Sequence, residues 1–280
     1  MNRGLKVFLI IVSVVASVIC ILCSLFIFQY FRGNMFQNET GEQIRPSQAI
    51  VITPSTPTSD SSTTNPNPFA PESDDSSEEQ IFGTATAVID FEKLWEINSE
   101  IYAWVEVPGT NINYAVVQSA VDDLYYNRRN LDKTYFTGGS IYSQRYNSKD
   151  FQDPVTVLYG HNLQAGTMFA QVNNFYDPAF FKSAPCIYVY TPEKVFVYEI
   201  FAAHPHSSEH LLLCHDFTNE AEFNAFFSSL TSSFDSNYRR DLFPEFGDKV
   251  LTLSTCYRSN RLQRYLVHGV LAAEYTVAQP

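Results

Sequence analysis

Residues Val7 to Phe28 form a run of 22 residues without one charged side chain. As a helix rising about 1.5 Å per residue, the run would extend roughly 33 Å, the thickness of a bilayer's hydrocarbon core. Arg3 and Lys6 precede it and only Arg32 follows closely, a bias that puts the N-terminus in the cytoplasm and the remainder outside. The alternative is a cleaved signal peptide, with Val15-Ala16-Ser17 as the cleavage site. The apolar run continues more than ten residues past that point, further than such peptides extend. Neither Cys20 nor Cys23 follows the small residue that a lipoprotein signal needs. The reading is an uncleaved single-pass anchor in the cell membrane, with residues 1–6 cytoplasmic and residues 7–31 the anchor.

A linker of 32–80 follows. Pro, Ser, Thr, Asn and Asp dominate 53–77, where Phe69 is the only aromatic residue. Such a segment cannot bury enough apolar surface to offset its ordering entropy, so it is expected to be a disordered tether. Residues 81–280 read as one extracellular domain. Outside the membrane, 15 basic residues face 30 acidic ones, which argues against nucleic acid or an anionic surface as the partner. Cys186, Cys214 and Cys256 lie outside the apolar run. With an odd number, at least one extracellular thiol stays unpaired or pairs with another chain.

Within the domain, Asp90 is expected to cap a short helix through Ile97. Strands are expected over 101–107 and 112–118, separated by the turn Pro108-Gly109-Thr110, and over 140–142 and 155–159. A hairpin turning at Thr191-Pro192-Glu193-Lys194 joins strands over 187–190 and 195–201. Asn219 and Glu222 form a capping-box pattern inside a helical segment over 217–234, with Phe223, Phe226, Phe227 and Leu230 on one face. Strands over 249–255 and 264–275 close the chain. Seven or eight strands with helical insertions point to a mainly β fold, a barrel or a sandwich.

Two strand ends carry chemistry. Leu251 to Cys256 is a strand ending in a thiol, and the thiolate is the nucleophilic form. Arg258, Arg261 and Arg264 follow within eight residues and supply positive charge. Val157 to Asn162 ends in Gly160-His161, which presents an imidazole suited to proton transfer. Taken singly, a strand-end cysteine such as Cys256 is more often a small buried hydrophobe, and His161 reads equally as a loop-bonded ring. His204, His206, His210 and His215 cluster in sequence near Cys214, but their spacing matches no zinc motif.

Taken together, these residues resemble the sortase family, class B. Gly160-His161-Asn162, then Thr252-Leu253-Ser254-Thr255-Cys256, then Arg264 follow the family order. Trp104 to Tyr114, with its Pro108-Gly109-Thr110, looks like the upstream signature, and Val117-Gln118 and Asp122 to Tyr126 extend the likeness. Ala115 stands where many members have proline, and Asp123 where asparagine is common. The resemblance implies a closed β-barrel of seven to eight strands with an N-terminal helix and a helical insertion before the cysteine strand. It implies a cysteine transpeptidase with His161, Cys256 and Arg264 catalytic, and Ser254, Thr255 and Asp123 lining the substrate groove; Arg261 is the competitor for Arg264.

In the implied reaction, Cys256 attacks the Thr carbonyl of a C-terminal sorting motif on a secreted protein. The resulting thioester passes to an amine of a peptidoglycan cross-bridge or a pilin lysine, with no metal or organic cofactor. A hydrolytic cysteine peptidase and a non-catalytic cell-wall adhesin on the same fold are the alternatives. His161 lies 95 residues before Cys256, the reverse of the papain-like order, and the Ser-His-Gly-Cys context of L,D-transpeptidases is absent.

Overall fold

A computed structural model describes residues 3–43, 89–184, 186–232, 235–257 and 260–277. Helix α1 (Arg3–Gln43) contains the apolar segment Ile10–Gln29, which is long and apolar enough to cross a membrane. It continues past residue 31, where the anchor was expected to end. No proline interrupts the chain before Pro46, so nothing in the backbone forbids the helix from continuing. The rest of the expected linker, 44–80, lies outside the described residues.

Among the described residues nine strands build the domain: β1 (Ile101–Glu106), β2 (Asn113–Val117), β3 (Ile141–Tyr142), β4 (Val155–Tyr159), β5 (Cys186–Tyr190), β6 (Lys194–Ser207), β7 (Asn237–Tyr238), β8 (Val250–Tyr257) and β9 (Asn260–Thr276). They pair in the order β5-β1-β2-β3-β4-β8-β9-β6-β7, and a further β5–β6 pairing closes eight of them into a barrel. The two-residue β7 adds to β6 outside the ring. A dipeptide of this kind carries no alternation long enough to mark it in the sequence. The expected barrel is therefore present.

Most strands are buried on both faces, which explains why their sequences read as apolar runs rather than alternating ones. Inside the barrel pack Val105, Val116, Leu158, Val189, Phe196, Leu251, Leu253 and Val267. Helix α2 (Phe91–Ile97), capped by Asp90 accepting from Lys93 N–H at 3.1 Å, covers one outer face with Phe91 and Leu94. After the short helices α3 (Pro178–Ser183) and α4 (Leu211–Cys214), helix α5 (Glu220–Ser229) covers another. There Phe223, Phe226 and Phe227, with Phe217 and Leu230, pack on Val155, Val157, Phe201, Val250 and Leu266. Asn219 caps α5 by accepting from the N–H groups of Ala221 and Glu222. The Glu222 carboxylate, however, accepts from Asp216 N–H at 2.8 Å instead of closing the reciprocal box on Asn219.

Beneath α5 two histidines are buried against each other. His204 Nδ1 lies 2.9 Å from the Pro205 carbonyl, His204 Nε2 lies 3.0 Å from His268 Nε2, and His268 Nδ1 lies 2.8 Å from Thr252 Oγ1. A carbonyl only accepts, so His204 Nδ1 carries the hydrogen and its Nε2 accepts from His268. The Nδ1 of His268 then accepts from the Thr252 hydroxyl. Two neutral imidazoles satisfy every bond in this chain, and burial away from water disfavours an added proton on either ring. The rings of Phe226 and Phe227 lie 6.0 and 5.8 Å from that of His268. Among the described residues no group of His, Cys, Asp and Glu is arranged to hold a metal.

Burial pushes His204 down to about 4 and His268 well below its ordinary value. Unfolded histidines bind protons near pH 6.5, so the unfolded state takes up more protons than the folded state once pH falls below that value. Stability is complete above pH 6.5 and declines toward pH 4, His204 alone accounting for roughly 3 kcal/mol by pH 4. Urea unfolding at stepped pH should show that decline, and the double variant His204→Gln, His268→Gln should flatten it. An unchanged slope in the variant would remove the histidine pair as the cause.

Candidate active site

Strands β4 and β8 are parallel, with Tyr159 opposite Ser254, so both deliver their C-terminal ends to the same rim of the barrel. The ladder's last rung is Gly160 N–H donating to the Ser254 carbonyl at 3.1 Å. His161 and Cys256 each lie two residues beyond the Tyr159–Ser254 pair, brought to one rim from 95 positions apart. Side chains alternate across a strand. Leu251 and Leu253 point into the barrel core, so Cys256 shares the outer face with Thr252 and Ser254.

Gly160 makes the approach possible. A Cβ at this position would sit 2.5 Å from Ile141 Cδ1 and 2.6 Å from Phe169 Cγ. Both atoms belong to packed core side chains, so no alternative residue fits between the end of β4 and its neighbours.

On the other side, β8 and β9 are antiparallel and Cys256 lies opposite Arg264. Cross-strand partners share a face, and Arg264 Nη1 stands 3.7 Å from Cys256 Sγ. The expected start of the last strand at Arg264 moves to Asn260, because β9 folds back on β8 immediately after Tyr257. Arg258 lies outside the described residues, as does the side chain of Arg261.

His161 is half-buried, and its Nε2 lies 2.8 Å from the Asn127 carbonyl. That carbonyl accepts, so Nε2 carries the hydrogen and Nδ1 is left to exchange a proton elsewhere. Burial pulls the His161 proton affinity below its ordinary value. The Asn127 carbonyl opposes that shift, and the positive charges of Arg128 and Arg264 reinforce it. Tyr142 completes the rim. Burial pushes its phenol up to about 12, Arg264 opposes the shift and Cys256 adds to it, so the ring is within electrostatic reach of both. It stacks on Tyr159, with centroids 5.5 Å apart.

The three expected groove residues occupy different places. Ser254 is on the Cys256 face but only 5% exposed. Thr255 points the other way and is 2% exposed, its hydroxyl donating to the Gly160 carbonyl at 2.8 Å. It therefore buttresses the β4–β8 junction. Asp123 stands in a fork with Arg145, whose Nε and Nη2 donate at 3.1 and 3.0 Å, and this pairing holds its carboxylate below the usual range.

Sequence reading did not single out Asn127, Asn173 or Tyr142. A backbone carbonyl such as that of Asn127 leaves no trace in residue identity. Asn173 reaches Cys256 from 83 positions away.

Residues 105–272, more than half of the chain, match the family model described as a sortase domain. The chain belongs to the sortase family. Its similarity is to class B members. The sortase B proteins of Listeria monocytogenes and Staphylococcus aureus are 27% and 26% identical over 163 and 166 residues. These matches cover 58% and 59% of this chain and 65% and 67% of the relatives, about two thirds of their length. Among solved structures, Clostridium perfringens sortase B is 28% identical with a TM-score of 0.59, covering 65% of this chain and 100% of that one. A Bacillus anthracis protein described as similar to sortase B is 30% identical with a TM-score of 0.58, covering 67% and 83%.

The Gly160 contacts of this sortase domain lead to a direct test. Gly160→Ala should lower stability by about 1–3 kcal/mol, since overpacking a filled core costs that much. Chemical denaturation measures it, and a variant as stable as the parent would contradict the packing described.

Proposed function

We propose that this chain is a membrane-anchored cysteine transpeptidase that cuts a Thr-containing sorting motif near the C-terminus of a secreted protein. It then joins the Thr carbonyl to an amine of the peptidoglycan cross-bridge or of a pilin lysine. The observation that carries the reading is the Arg264 guanidinium 3.7 Å from the Cys256 thiol, on the rim that also presents His161. Among solved relatives, a Streptococcus pyogenes class B sortase involved in pilus biogenesis is 26% identical with a TM-score of 0.57, covering 65% of this chain and 97% of that one. That likeness supports keeping a pilin amine among the acceptors.

In this reading the Cys256 thiolate adds to the Thr carbonyl carbon, and the carbonyl oxygen becomes an oxyanion. Arg264 stabilises it through charge-assisted N–H donors. As the intermediate collapses, the peptide C–N bond breaks, and His161 gives the departing amine the proton that its Nδ1 took from the Cys256 thiol when the thiolate formed. The thioester is then attacked by the second amine, whose proton His161 accepts, and Cys256 leaves as thiolate. Burial beneath the rim keeps His161 predominantly neutral at pH 7, the form the second step needs. Ser254 backs the nucleophile from the same strand face, and Asp123 with Arg145 borders the groove at its outer edge. The basic residues before the apolar helix support an N-terminus in the cytoplasm and a catalytic domain outside.

A Thr-containing sorting peptide incubated with and without an amine acceptor tests the reaction. Product formation should rise with added amine, and Cys256→Ala should abolish both product and a trappable thioester. Cleavage indifferent to amine would instead identify a hydrolytic peptidase. Arg264→Lys should lower kcat about 100-fold, because a lysine ammonium replaces the guanidinium's fixed fork with a single point donor.

The acid limb of kcat should fall below pH 6.5. Protonating His161 removes the base, and its depressed proton affinity moves that loss to lower pH than for an ordinary histidine. A limb centred at or above pH 6.5 would exclude His161 in its present environment as the base.

A further inference from the structure

The carbonyl of Cys256 receives two side-chain donors from separate elements. Asn162 Nδ2 donates at 3.1 Å, and Asn173 Nδ2, from the 3-10 turn Ala170–Tyr176, donates at 3.2 Å. The strand geometry explains the arrangement. The last backbone rung between β4 and β8 is Gly160 N–H to the Ser254 carbonyl. In a parallel ladder the next rung from the same strand falls two residues on, from Asn162 N–H to the Cys256 carbonyl. The chain has already left the ladder there, and Asn162 instead bridges Met168. Its side-chain amide therefore substitutes for the missing rung. On the opposite side, the β8–β9 register breaks between Cys256 and Tyr257. Cys256 is the last residue of β8 in regular register, and two amides hold the carbonyl that follows its side chain.

We propose that Asn162 and Asn173 act together as positioning residues, clamping the Cys256 carbonyl so that the thiol stays oriented toward Arg264 at the end of a fraying strand. A carbonyl has two acceptor sites, and the clamp fills both. Each amide thus supports the other, and removal of one leaves the carbonyl held. Removal of both frees the peptide plane after Cys256 and lets Sγ move away from the guanidinium. The proposal rests on the transpeptidase reading for its kinetic arm but not for its chemical one.

The test uses the full-length protein in detergent, with Asn162→Ala, Asn173→Ala and the double variant. Three readouts are taken: kcat and KM for the sorting peptide with amine, the iodoacetamide alkylation rate of Cys256 resolved by peptide mass, and the thermal midpoint. Each single variant should lower kcat about three- to tenfold with KM within twofold. The double variant should lose more than the product of the two single losses. Alkylation at Cys256 should slow in parallel, since a displaced thiol loses the cation beside it.

Two outcomes would overturn the clamp. One is kcat and alkylation in the double variant within twofold of the parent. The other is a kcat loss that follows the loss of folded protein while alkylation of the folded fraction is unchanged. Should the parent show no amine-dependent product at all, the transpeptidase reading fails, and the alkylation series still decides whether the amides position the thiol.

Discussion

The parallel pairing of β4 with β8 is the constraint from which the site follows. Antiparallel neighbours would put their C-terminal ends at opposite rims and leave His161 and Cys256 a strand length apart. Parallel pairing brings both ends out together, at the cost of a long crossover. That crossover holds β5, β6, β7 and the α5 region, which is why the two residues stand so far apart in sequence. The antiparallel β8–β9 hairpin then supplies Arg264 from a few residues downstream. One long-range and one local pairing thus assemble a thiol, an imidazole and a guanidinium on one rim, where backbone hydrogen bonds set the spacing.

Core packing enforces this arrangement from both sides. Ile141 and Phe169 leave no volume beside Gly160, so the end of β4 cannot retreat from β8. Thr255 ties the same junction by donating to the Gly160 carbonyl. The hydroxyl of the residue before Cys256 is therefore spent on architecture. A strand has two faces, and neighbouring residues cannot serve the same one.

Much of this was legible in the sequence. The strands other than β7, the α5 face of Phe223, Phe226, Phe227 and Leu230, and the turn at Thr191–Lys194 each follow from local pattern or turn chemistry. The Thr191 N–H indeed donates to the Lys194 carbonyl at 2.8 Å. What local pattern cannot encode is partnership between distant strands. Nothing in Asn173 announces that its amide meets the Cys256 carbonyl, and nothing in Asp123 announces the fork with Arg145. The orientation of Thr255 was in principle available, since alternation puts it opposite Cys256. Resemblance to a motif treats consecutive residues as one unit and overlooks that alternation.

The outer face of the β8–β9 pair also explains why the thiol is accessible where it is. Along that face the cross-strand pairs are Val250 with Val270, Thr252 with His268, Ser254 with Leu266 and Cys256 with Arg264. On β8 the burial changes along the row: Val250 and Thr252 are 1% and 0% exposed, Ser254 is 5%, and Cys256 is half-open. Phe226 and Phe227 of α5 close the row at His268, where burial favours the neutral form of the histidine pair. The same sheet face therefore passes from a dry, hydrogen-bonded interior to a half-open rim within three pairs. Helix α5 sets where that change occurs, and the first pair beyond its cover is the one that carries sulfur and guanidinium.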